Sequence, residues 1–107
     1  MPFYQEKDAY QKTILSELQG VWINLRNSVA EQPGFTNWER MLFHIDEAMS
    51  WENVRNLKEM RNVFLVIRNI AVQSTIPEQV TEAIELVEFY MNDVFEAIAE
   101  GKLNSSV

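Results

Sequence analysis

Apolar residues recur every three or four positions along nearly the whole of this chain, and nowhere do they alternate with polar ones over the length of a strand. A repeat near 3.6 places apolar side chains on one face of a helix, whereas a half-buried strand needs a repeat of two. The pattern predicts an all-α fold in which each helix buries one face. Tyr10, Ile14, Leu18, Val21, Leu25 and Val29 form the stripe of a first helix over about 5–30. Gly20 interrupts it at a cost of about 1 kcal/mol relative to Ala, which close packing of a neighbouring helix would explain. Gln32-Pro33-Gly34 ends the helix.

Three further helices follow from capping signals. Thr36-Asn37-Trp38-Glu39 reads as a capping box opening a helix over 37–49, with Trp38, Met41, Leu42, Ile45 and Met49 on one face. Ser50 reads as the cap of a third helix over 51–73. Thr75-Ile76-Pro77-Glu78 reads as a second capping box, with Pro77 in the first turn of a fourth helix over 76–100. Gly101 suits the left-handed position that closes it, and 102–107 is expected to form a flexible tail. Short connections favour antiparallel neighbours. The expected architecture is a compact bundle of four antiparallel helices, the second the shortest, in one domain over 1–107.

The chain carries 16 acidic against 9 Lys and Arg residues, a formal charge of −7. That disfavours direct binding to nucleic acid or to an anionic membrane, both of which need a basic surface. No cysteine is present, so disulfides and thiolate chemistry are excluded. The longest apolar run, Val63 to Ile67, is too short to span a bilayer. The first residues have neither a basic region nor an apolar stretch of the secretory type, so a soluble, cytoplasmic protein is expected.

The charge is concentrated. Residues 77–101 hold seven carboxylates and no Lys, Arg or His. At 100° per residue, Glu78, Glu82, Glu85, Asp93, Glu96 and Glu100 fall within an arc of about 80°, opposite the apolar stripe Val80, Ile84, Val87, Met91, Val94 and Ile98. Phe89 projects from the middle of the acidic arc. Like charges one turn apart repel, and acids at a helix C-terminus oppose its dipole. A solvated outer face accounts for the carboxylates but not for the ring. A docking surface accounts for both: charge steers a basic partner and the aromatic anchors it.

The third helix is the basic counterpart. Besides its core stripe of Leu57, Met60, Phe64, Ile67 and Ala71, it carries Val54, Arg61, Leu65, Arg68 and Val72 on another side. A four-helix monomer does not need a second apolar face, and a small domain gains by burying one against a copy of itself. These five residues are the expected self-association surface. Arg61 and Arg68 would pair with the acidic helix either within the chain or between chains.

No catalytic, cofactor or metal site is expected. His44 is the only histidine, so the paired Glu-x-x-His units of a bundle metal site are absent. The carboxylates share one outer face and cannot close around a cation as those on facing helices do. Arg68-Asn69 resembles the opening of the ribonuclease motif of HEPN domains, but the histidine that motif requires does not follow. Trp22, Trp38 and Trp51 read as core or interface aromatics. The expectation is a non-enzymatic interaction module of the small inhibitor or adaptor type, binding a basic protein surface and forming a homo-oligomer. Two alternatives stand beside it. One is a nucleic-acid mimic of the phage anti-defence type, which would inhibit a nucleic-acid-binding enzyme with a carboxylate row in place of phosphates. The other is a small-ligand binder with an interhelical pocket lined by the tryptophans and by Arg61 or Arg68.

Overall fold

Positive φ angles occur at Gly34, Asn37, Arg55 and Gly101, all at helix junctions. The computed structural model describes the backbone of residues 2–103 and the side chains of residues 12–103. Within them lie four helices, α1 (Pro2–Ala30), α2 (Trp38–Asn53), α3 (Leu57–Val72) and α4 (Glu78–Ala99), and no strand among the described residues. The side chain of Tyr10 and residues 104–107 lie outside the described set.

Each helix buries most of the stripe its spacing predicts, although Val21, Trp38, Leu42, Met49, Ala71 and Ile98 are only partly buried and Trp22 joins the α1 core beside its stripe. Leu18, Trp22, Leu25 and Val29 of α1 are fully buried, as are Met41 and Ile45 of α2, Met60 and Ile67 of α3, and Val80, Val87 and Val94 of α4. Trp22 meets Phe64 edge-on, with ring centroids 5.9 Å apart, at the centre of this core. Neighbours in the bundle run antiparallel. Gln32 bonds Gln79 at one end of the α1/α4 pair, while Ile14 lies with Ala97 near the other. Trp38 Nε1 donates to the Val29 carbonyl at 2.7 Å and Arg26 pairs with Asp46 at 2.6 Å, tying α1 to α2. The α1/α4 and α2/α3 pairs are closely packed, whereas α3 and α4 touch sparsely. The bundle measures 52 × 22 × 19 Å. No described helix is long and apolar enough to cross a membrane.

Several local expectations are corrected. The α2/α3 break falls at Val54-Arg55-Asn56, not at Ser50, so both helices span 16 residues. Ser50 bonds back to the Asp46 carbonyl from within α2. Asn56 is the true cap, its side chain accepting from the Glu59 amide, while Arg55 takes the left-handed turn position. Neither capping box forms. Asn37 precedes α2 with φ 67° and Pro77 precedes α4 in extended geometry, and neither supplies a side-chain cap. Instead Asn37 Nδ2 donates to Ser74 Oγ at 2.8 Å, joining the loops before α2 and α4. Gly20 packs against nothing: a Cβ built there meets no atom within 4 Å. The chain after α4 does not fray at Lys102. The Gly101 amide donates to the Ile98 carbonyl and the Lys102 amide to Ala97, the double closure that a left-handed residue permits. That turn folds Leu103 back into the core, where it is buried.

Candidate functional site

On α4 the residues that face the core are apolar or small, and the acidic residues face away from it. The helix turns by 100° per residue, so the buried run Val80, Ile84, Val87, Met91, Val94 fixes where every other side chain points. Glu78, Glu82, Glu85, Asp93, Glu96 and Glu100 are all exposed, as expected from their spacing. Phe89 stands among them, 60% exposed, its ring edge-on to that of Tyr90 at 5.3 Å. Leu86 is exposed at the margin of the row.

Little among the described residues answers this charge. Glu100 pairs with Lys102 at 3.0 Å. Glu88, which points toward α3 rather than outward, pairs with Arg68 at 2.9 Å. Among the described residues no ion pair reaches Glu78, Glu82, Glu85, Asp93 or Glu96. Their carboxylates project from one convex helix face, and no described group of His, Asp and Glu has the clustering that would hold a metal ion.

The seam with α3 borders this row. Arg61 lies over the Phe95 ring, 5.1 Å from its centroid, within range of a cation–π contact. Arg68 reaches Glu88 a little further along. Both arginines thus have partners within the chain. Leu65 and Val72 stand beside them on the outer flank of α3, 47% and 83% exposed. Val54 does not join this group. Because the break follows Asn53, Val54 lies in the α2/α3 turn, where it lines an outer groove with Phe43 and Trp51.

The seam opens at its loop end into a groove of about 600 Å³ lined by Arg68, Val72, Ile76, Thr81, Ile84 and Glu85, among others. The tryptophans are elsewhere. Trp22 is sealed in the core, its Nε1 without a hydrogen-bond partner among the described residues. Trp38 lines a groove at the α1/α2 loop, and Trp51 the groove with Val54. None of these three grooves joins a tryptophan to Arg61 or Arg68. His44 is half-buried, with Nδ1 3.0 Å from Glu47.

The sequence reading missed Glu52. Its side chain is buried at the end of the α2 core stripe, and it accepts from Arg55 at 2.8 Å. Burial raises its pKa above the ordinary carboxylate value, and the Arg55 charge offsets part of that rise. Continuing the spacing Met41, Ile45, Ala48 by one more turn reaches position 52. Ending the helix at Met49 hid that register. No protein-family model, curated protein or solved structure matches the chain.

Proposed function

We propose that the chain is a non-enzymatic interaction module, of inhibitor or adaptor type, that docks a basic protein surface onto the outer face of α4. One observation carries this reading: Phe89 is exposed midway along a row in which five carboxylates have no ion-pair partner among the described residues. Folding gains little from either feature beyond the Phe89–Tyr90 contact and the placement of Glu78 in the first turn of α4. The carboxylates repel one another, and an exposed aromatic forgoes its burial energy. Both serve a partner. The summed field of the row raises the encounter rate with a cationic surface, and a large ring at the centre of a desolvated patch is the usual form of a binding hot spot.

Capture from a lysate of the source organism at low salt, followed by stepwise salt elution, tests the reading when wild type is compared with two variants. E85K/D93K/E96K is expected to lose the captured protein, and F89A to release it at lower salt, a loss of about 2 kcal/mol or more for a hot-spot residue. A nucleic-acid mimic would behave differently. Its one-turn carboxylate spacing, about 5.4 Å, substitutes for phosphates, so it would tolerate F89A while still losing binding in the triple variant. Equal capture by all three proteins would remove α4 from the binding surface.

A further inference from the structure

The sparse contact between α3 and α4 leaves a two-helix face whose halves carry opposite charge. On α3, Lys58, Arg61, Leu65, Arg68 and Val72 follow one another at spacings of three and four. On α4, Glu85, Phe89, Asn92 and Glu96 do the same. Both stripes follow the alternating three- and four-residue spacing by which two helices stay in contact along their length. Each has apolar side chains among charges, cationic on α3 and acidic on α4. Neither is covered: Leu65, Val72 and Phe89 are all exposed.

We propose that the cationic flank of α3 seats on the acidic face of α4 in a second copy of the chain, forming a two-fold dimer. This rests on the reading of α4 as a docking face and names one partner for it. A two-fold axis parallel to the helices places α3 of each copy over α4 of the other. Because α3 and α4 run antiparallel within the chain, the new pairs are antiparallel too, and residues keep their height along the bundle. The intrachain contacts Arg68–Glu88 and Arg61–Phe95 therefore set the register. Leu65 of one copy comes level with Met91 of the other, beside Phe89 and Asn92. Arg68 comes beside Glu85, and Arg61 beside Glu96. The two charged pairings are complementary, and Leu65 comes beside the exposed Phe89 ring.

The intrachain contacts do not exhaust the arginines. A guanidinium has five N–H donors. Arg68 spends one on Glu88 through Nη1, and Arg61 presents the face of its guanidinium to Phe95. Both contacts hold the groups at the edge of the seam with donors to spare. The face is about 24 Å long and about 20 Å wide, from helix lengths and diameters. That lies at the small end of specific interfaces, so a dimer that dissociates in the micromolar range is expected.

Sedimentation equilibrium of the purified chain at low salt tests this directly. The mass of wild type is expected to rise from 12.5 kDa toward twice that value across the micromolar range. R61E/R68E and E85K/E96K are each expected to stay monomeric, and an equimolar mixture of the two to dimerise, because both α3–α4 contacts regain opposite charges. Val72→Asp alters the same face at a residue outside the core, and loss of dimer in that variant with unchanged helicity excludes misfolding as the cause. A monomeric wild type overturns the proposal, as does a mixture that stays monomeric while wild type dimerises. If wild type is monomeric but lysate capture still depends on Glu85 and Glu96, the second copy falls and the docking face stands. If E85K/E96K changes neither mass nor capture, both fall.

Discussion

Glu52 is the residue whose environment departs furthest from what its chemistry prefers. Its carboxylate occupies a core position with Arg55 as its ion-pair partner, and desolvation outweighs that partner, raising its pKa. The consequence for stability has a definite sign. A carboxyl group whose folded pKa exceeds its unfolded value binds protons more tightly in the folded state, so its contribution is fully present below the unfolded pKa and is lost as pH rises through the folded one. Glu52→Gln is therefore expected to melt at a higher temperature than wild type at neutral pH. The difference should close below about pH 4, near the unperturbed carboxyl range. A difference independent of pH would mean that burial of the charge is not what the substitution relieves. Phe64 tests the opposite kind of site. It is fully buried against Trp22, and Phe64→Ala is expected to cost about 3–5 kcal/mol by the cavity it leaves. That is a large part of the stability of a domain of this size. Thermal unfolding close to that of wild type would show that the site collapses around the smaller side chain.

At the scale of helices, spacing revealed the faces and composition misled about the ends. The buried stripe of α4 is the one its sequence spells out as far as Val94, with Ile98 only partly buried, because a helix fixes side-chain direction from residue to residue. Its ends depend on which loop groups compete for the first amides, and tertiary contacts decided that. Asn37 took a left-handed conformation and bonded Ser74 instead of letting Thr36 cap α2. Ser50 looked like a cap because serine favours caps, yet a serine inside a helix can bond the carbonyl four residues back, as Ser50 does. The outward row of Glu78 to Glu100 with Phe89 was legible for the same reason as the core. The openness of the α3/α4 seam was not, since it depends on the distance between two helices rather than on the repeat within either. Gly20 offers an element-scale prediction. It lies mid-helix with open space where a Cβ would go. Gly20→Ala should therefore stabilise by about 0.5–1 kcal/mol through backbone entropy alone. A destabilised variant in chemical denaturation would reveal a close approach at this position.

For the molecule as a whole, the question is what the −7 charge does. A negative chain is destabilised by its own field, and the effect is largest where the charges are densest. On this molecule that is the outer face of α4, where Glu85, Asp93 and Glu96 have no ion pair among the described residues. Added salt should accordingly raise the stability of wild type at neutral pH, since ions screen exposed charges beyond about 10 Å at 0.1 M. Reversing three of the charges should have a similar effect without salt. In E85K/D93K/E96K, the cation introduced at position 85 would sit one turn from Glu82 and the one at position 96 one turn from Glu100. The 82/85 and 96/100 pairs thereby become attractive, at a few tenths of a kcal/mol each, while positions 93 and 96 remain a like-charged pair. Cations would also lie nearer the C-terminus of α4, where the helix dipole favours them. A gain on the order of 1 kcal/mol in low salt is expected from these terms, with a weaker salt dependence than wild type. The measurement belongs at a protein concentration too low for self-association, because a dimer adds stability that would obscure the comparison. A less stable triple variant would mean that the carboxylates serve the fold. A more stable one that no longer binds means the chain sacrifices stability to keep this face negative, as a docking surface requires.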